Sequence, residues 1–178
     1  MEEDPIRTTD DEARDIARRL IRDMRHAVLG TLDPDSGCPL LTRIAIQTDH
    51  DGTPLALLSG LAAHSRALAA DRRAGLMVAD GTAVKGDVMT HARLSIQAVA
   101  VPAAPDPDRR AAWLERDPKA RVYIDLPDFT FWRIEPQGAL LNAGFARAYR
   151  LLPADLLPAA PDMGKPRQDD CRGITATG

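Results

Sequence analysis

Leu40–Ala79 reads LLTRIAIQTDHDGTPLALLSGLAAHSRALAADRRAGLMVA, and its pattern is strand, tight turn, strand, short helix, strand. Over Pro39–Thr48 the residues alternate: Leu41, Arg43, Ala45 and Gln47 share one face, while Thr42, Ile44 and Ile46 share the other. Asp49-His50-Asp51-Gly52 closes a hairpin, its Asp-Gly pair supplying the positive φ angles such turns need. Pro54–Ser59 is the next strand, and Leu61–Asp71 a short helix with Leu61, Ala67 and Leu68 expected to face inward. Arg43 interrupts an apolar strand, and a buried guanidinium is costly unless an anion or carboxylate meets it. His64-Ser65-Arg66 lies at the start of the helix, where unpaired amides favour anions. Read together, Arg43, Ser59, His64, Ser65 and Arg66 form a clamp for one phosphate. Read singly, Arg43 is also compatible with an edge arginine paired to a carboxylate, and Ser59 with a helix cap beside an exposed basic pair.

Before this stretch, residues 1–8 read as disordered. Thr9-Asp10-Asp11-Glu12 is a capping box. It opens a helix with Ala13, Ile16, Ala17, Leu20, Ile21 and Met24 on one face and Arg14, Arg18, Arg22 and Arg25 on a solvated opposite face. Ala27–Leu32 is a strand, followed by turn residues Asp33–Gly37. After Ala74–Ala79, a further strand, residues 80–90 read as a mobile loop and Ala92–Val101 as a strand. Pro102–Pro107 is a linker and Asp108–Arg116 a helix stopped by Asp117-Pro118, with a helical turn over Lys119–Ile124. Phe129–Glu135 is a strand, Gly138–Tyr149 a last strand or hairpin with a glycine-marked bend, and residues 158–178 a polar tail. Strands connected mostly by hairpins predict a mainly β (α+β) domain over residues 9–157, an antiparallel closed or split barrel with flanking helices.

The net charge of −3 argues against a general nucleic-acid binder. No apolar run approaches the roughly 20 residues of a membrane helix, and the acidic start MEEDPIRTTDDE is no signal peptide. Cys38 and Cys171 form no metal-spaced pair and the four histidines have no zinc spacing, so a soluble protein of a reducing cytoplasm is expected, with no metal site. No nucleophile elbow, Walker loop or paired-carboxylate site is present, and no catalytic residue is assigned. Arg93 opens its strand beside Ser95 and Gln97. Trp132, Arg133, Asn142, Phe145 and Arg147 form a late aromatic and basic group, in which Trp132 reads as packing at a dimer interface.

AVLGTL, GCPLLTRIAIQTDHDGTPLALLSGLAAHSRALAADRRAGLMV, ARLSIQAVAV and DFTFWRIEPQGALLNAGFARAY together resemble the FMN-binding split-barrel family related to pyridoxamine 5′-phosphate oxidase, in its haem-utilisation (HugZ-like) branch, over roughly residues 12 to 150. The resemblance implies a six-stranded split barrel and a homodimer with cofactor sites at its interface. It implies that Arg43 and a basic residue at the helix start meet the flavin phosphate, that Leu58 and Ser59 add backbone and hydroxyl contacts, that the backbone at Gln47 and Thr48 passes the ring, and that Arg93 touches the cofactor. Where the oxidases carry a lysine this chain has His64, followed by Ser65 and Arg66; a neutral imidazole neutralises a phosphate less well. The C-terminal Arg- and Trp-rich substrate segment of the oxidases has no counterpart after Tyr149, so pyridoxamine phosphate oxidation is not expected. The implied function is an FMN-dependent oxidoreductase of unnamed substrate. A haem-handling protein, or a cofactor-free dimeric scaffold on the same barrel, is the alternative.

Overall fold

The computed structural model describes residues 6–79 and 86–157. Its elements in order are β1 (Ile6–Arg7), α1 (Asp11–Asp23), β2 (His26–Leu32), β3 (Pro39–Thr48), β4 (Pro54–Ser59), α2 (Ala63–Ala70), β5 (Arg73–Ala79), β6 (Arg93–Pro102), α3 (Pro107–Arg116), β7 (Phe129–Asn142), β8 (Ala148–Leu151) and α4 (Pro153–Leu156), with single 3₁₀ turns at Val88–Thr90 and Pro118–Val122. The expected polar tail at 158–178, residues 80–85 of the expected mobile loop and residues 1–5 lie outside the described residues.

Six strands close in the order β7-β4-β3-β2-β5-β6, and β6 returns to pair with β7. This is a closed antiparallel barrel with β1 and β8 as additions, so the expected mainly β, six-stranded barrel stands. β7 makes the split. One of its edges pairs with β6 along nearly its whole length, whereas the other pairs first with β4 (through Phe129–Arg133) and then with β8 (through Ala139–Asn142). The strands expected at Phe129–Glu135 and beyond Gly138 are therefore one continuous element. Pro136 does not break it, because the register shifts opposite Gln97/Ala98 and a bulge absorbs a residue that cannot donate to the ladder. The glycine-marked bend is Gly144, at φ 131°.

Alternation along each strand fills the barrel with Leu29, Ile46, Leu76, Leu94, Ile96, Ile134 and Leu141, and α1 adds Ala17, Leu20 and Ile21 to the same core. Each such side chain contributes roughly 1.5–3 kcal/mol by leaving water. A second, smaller core lies outside the barrel wall, where Leu55 and Leu57 of β4 meet Trp113, Ala120 and Ile124. β4 thus faces apolar neighbours on both sides, which is why its sequence, PLALLS, does not alternate.

Three local expectations change. Asp10 rather than Thr9 caps α1, accepting from the Ala13 amide at 2.8 Å, while Thr9 Oγ1 donates to the Arg150 carbonyl at 2.8 Å. The arginine face of α1 is only partly solvated: Arg14 Nε meets Asp155 at 2.7 Å and Arg18 Nε donates to the Asp155 carbonyl at 2.9 Å, so it holds α4. Leu61 is not inward-facing but 88% exposed, because α2 begins two residues later than its apolar pattern suggests.

Candidate functional site

β4 ends at Ser59, where a tight turn delivers the chain into α2. Ser59 Oγ donates to Asp128 Oδ2 at 2.6 Å and accepts from the Leu61 amide at 3.2 Å. Ser65 Oγ donates back to the Ser59 carbonyl at 2.7 Å. The Gly60 amide donates to the Asp128 carbonyl at 2.6 Å, and a Cβ on Gly60 would stand 3.3 Å from that oxygen, a tight approach that the glycine relieves. Both serine hydroxyls are thus spent shaping the turn. What the turn leaves open is backbone. No side chain caps α2 and its first turn contains no acid, so the amides of Ala63 and His64 precede any intrahelical acceptor at the positive end of the helix dipole.

Arg43 stands on the outer face of β3, exposed, opposite Val28 of β2. It is not the buried guanidinium the apolar run suggests, nor is it paired to a carboxylate: it makes no hydrogen bond or ion pair with any described residue. The β3–β4 ladder has three pairs and stops at Ile46–Ala56. Arg43 lies three residues before that last pair, where β3 and β4 are no longer paired. Arg66, 67% exposed, reaches Asp35 at 3.3 Å, a surface pair weak enough to exchange for another anion. Leu58, Ser65, Arg66, Thr130 and Trp132 wall a cleft of about 570 Å³ beside this turn. Of the residues singled out in the sequence, Leu58, Ser59, His64, Ser65 and Arg66 therefore lie together at the turn into α2, while Arg43 stands on β3 and is not part of this cleft's lining. Asp128, which orders the turn, was not legible in the sequence.

His64 is half-buried, and burial lowers its pKa below 6.5, so its imidazole is neutral at pH 7. Since the folded value lies below the unfolded one, the unfolded chain takes up the proton first as pH falls, and stability declines through that window. Thermal unfolding between about pH 7 and 5 is expected to show a shallower pH slope in His64→Gln than in the wild type. Equal slopes would remove His64 as the cause.

Gln47, Thr48 and Arg93 lie elsewhere. Gln47 is buried under α3, its Nε2 donating to the Trp113 carbonyl at 3.1 Å, and Thr48 Oγ1 accepts from Arg116 at 3.4 Å. Arg93 pairs with Asn142, at the opposite end of β7 from Phe129, the partner of Ser59. Its guanidinium donates to the Met89 carbonyl at 3.1 Å.

The strongest charge cluster also escaped the sequence reading. Asp49, with a side chain 3% exposed, receives Arg109 in a bidentate pair at 3.1 Å and 3.1 Å, and Arg133 on the same carboxylate. Arg133 also meets Asp51 at 2.8 Å and Thr53 at 3.1 Å. Asp49 lies 60 residues from Arg109 and 84 from Arg133, and no local pattern announces partners so distant. Among the described residues no group of His, Cys, Asp or Glu is arranged to hold a metal ion, and no helix is long and apolar enough to cross a membrane.

Residues 13–142 match the family model described as pyridoxamine 5′-phosphate oxidase. The chloroplastic heme oxygenase HOZ of Arabidopsis thaliana is 31% identical over 115 residues, 64% of this chain and 34% of that protein, so the chain spans about a third of this relative's length. The heme binding protein of Mycobacterium smegmatis superposes with a TM-score of 0.74 at 27% identity, covering 81% of this chain and 59% of that one. HutZ, the heme storage protein of Vibrio cholerae, has a TM-score of 0.62 over 78% of this chain and 97% of its own; at 20% identity it speaks for the fold alone. With the barrel, its split and the matched span in agreement, the chain belongs to the pyridoxamine 5′-phosphate oxidase family and sits among relatives that include haem proteins.

Proposed function

We propose that this chain is an FMN-binding protein and works as a flavin-dependent oxidoreductase, with the flavin phosphate held between Arg43 and the start of α2. Two observations support this reading: the Arg43 side chain has no partner among the described residues, and the N-terminus of α2 has no side-chain cap. A phosphate satisfies both, by charge-assisted hydrogen bonds from a guanidinium fork and from backbone amides. When bound, the flavin supplies the redox chemistry and the protein supplies anchoring. Arg43→Ala is expected to weaken FMN binding by at least about 1.5–3 kcal/mol, read by flavin fluorescence titration. An unchanged dissociation constant removes Arg43 from the site.

The reading includes a homodimer. Arg93 cannot reach the α2 turn within its own chain, so it joins such a site only from a second copy. The outer barrel face exposes Leu41, Met77, Leu140 and Leu152 around a groove of about 560 Å³, apolar surface suited to burial against that copy. Light scattering giving a monomer mass at micromolar concentration would overturn it. A cytoplasmic location goes with this reading and is supported by the free, exposed thiol of Cys38.

Haem is the second reading, favoured by the relatives named for it and by His64, whose neutral imidazole is in the iron-ligating form. The absorbance of the purified protein separates the two. Released FMN supports the first. A Soret band on adding haem that His64→Ala abolishes, with no flavin bound, supports the second. If neither ligand binds, the cofactor-free scaffold remains.

A further inference from the structure

Beneath the C-terminal end of α3 a second polar cleft, of about 200 Å³, opens between that helix and the outer face of β3. Two guanidiniums line it. Arg25 follows α1, is exposed, and makes no side-chain hydrogen bond or ion pair with any described residue. Arg116, from the last turn of α3, spends one nitrogen on the Arg22 carbonyl at 2.8 Å and another on Thr48 Oγ1 at 3.4 Å, and has no carboxylate partner among the described residues. The two cations repel each other: burial first, and Arg25 second, lower the pKa of Arg116, with Asp23 opposing. The nearby acids are engaged elsewhere. Asp23 binds Arg22 at 2.9 Å, and Asp117, which borders the cleft, accepts from the Lys119 amide at 3.2 Å to cap the following 3₁₀ turn.

Two neutral residues complete the lining. Gln47, whose amide donates to the Trp113 carbonyl at 3.1 Å, lies at the floor, and Trp113, 1% exposed, lines the same cleft and has an indole N–H that is buried without any acceptor among the described residues. A buried donor left unpaired costs about 1–3 kcal/mol, and the two guanidiniums beside it outnumber the one carboxylate of the lining, Asp117, with no ion pair to either among the described residues. An oxyanion with several acceptor lone pairs answers both deficits. We propose that the cleft walled by Arg25, Gln47, Trp113 and Arg116 binds a phosphate group. Its size admits a phosphate and excludes a flavin or haem ring. It stands apart from the α2 turn, and the inference does not depend on the FMN reading.

The test follows the Trp113 indole N–H resonance in ¹⁵N-labelled full-length protein, assigned by its persistence in Trp132→Phe, during titration with inorganic phosphate at constant ionic strength held with chloride. A saturable shift of that resonance at millimolar phosphate or below is expected. Arg25→Gln, at an exposed position where folding is undisturbed, is expected to weaken it by roughly tenfold or more, and Arg43→Gln to leave it unchanged. Glycerol phosphate in place of inorganic phosphate distinguishes an esterified from a free phosphate, and saturation by either one supports the site. No shift up to tens of millimolar of both, an equal shift with chloride alone, or full retention in Arg25→Gln overturns the proposal. Retention in Arg25→Gln with loss in Arg43→Gln would assign the phosphate to the α2 turn instead.

Discussion

Asp49→Asn is expected to destabilise the protein by about 2–3 kcal/mol, the cost of removing the one enclosed charge on which two part-buried arginines converge, while Asp51 and Asp106 keep weaker hold of them. Few surface substitutions come near this, because the carboxylate is almost wholly enclosed and two arginines converge on it. Arg109 belongs to α3, Arg133 to β7 and Asp49 to the β3–β4 hairpin, so one carboxylate ties three parts of the chain that are remote in sequence. An asparagine keeps one acceptor oxygen but loses the charge, and its amide donors face guanidiniums. For a domain whose whole stability is of order 5–15 kcal/mol, this is a large fraction. Asp51→Asn, by contrast, is expected to cost within about 1 kcal/mol, since the Asp51 side chain is 55% exposed and solvent screens its pair. Urea denaturation of the three proteins checks the ranking. Equal midpoints for Asp49→Asn and wild type would show that the cluster carries no stability.

The same cluster sets the acid response. Burial alone would raise the Asp49 pKa, but hydrogen bonds from Arg109, the His50 amide and Arg133 outweigh it and hold it below 3.8. Burial is likewise outweighed at Asp51, chiefly by Arg133, and its pKa falls to about 2. Folded-state values below the unfolded ones mean stability that is present above the ordinary carboxylate range and lost as pH falls through it. Unfolding is therefore expected to become easier from about pH 4 towards pH 2, and Asp49→Asn, already lacking its share, is expected to show a flatter profile.

Trp113→Ala is expected to cost about 3–5 kcal/mol through a cavity that the second core cannot refill. Trp113 is 1% exposed and packs edge-on against Phe131, with centroids 5.4 Å apart and planes at 66°. Its backbone carbonyl receives Gln47. The small core it anchors has Leu55 and Leu57 on one side and Ala120 and Ile124 on the other. With the indole gone, α3 keeps mainly the Arg109–Asp49 pair to hold it against the barrel. Trp132→Ala, at a half-buried position, is expected to cost less. Thermal melts of the two variants test the order, and a reversed order would place the main anchor of this region at Trp132.

The local pattern of the chain was sufficient for most of the barrel strands and for α1, though not for β1, α4 or the continuity of β7. Alternation over Pro39–Thr48 and Ala92–Val101, the Asp51-Gly52 turn and the apolar face of α1 each act within a few residues, where sequence and backbone conformation are directly coupled. Ser59 through Arg66, at the turn into α2, were legible for the same reason, being neighbours in the chain, and Arg43 stood out as a charge in an apolar strand. Tertiary structure decided everything that depends on distant partners. It left Arg43 exposed and unpaired, drew Arg14 and Arg18 out of solvent onto α4, and joined two strands through Pro136 by placing a bulge opposite Ala98. It also brought Asp128 to Ser59 across 69 residues and Arg133 to Asp49 across 84. Closing a barrel fixes which faces meet, and a side chain's environment follows from that closure. The strand period could say that Arg43 and Gln47 share a face, but only the packed barrel shows that α3 covers Gln47 and leaves Arg43 exposed.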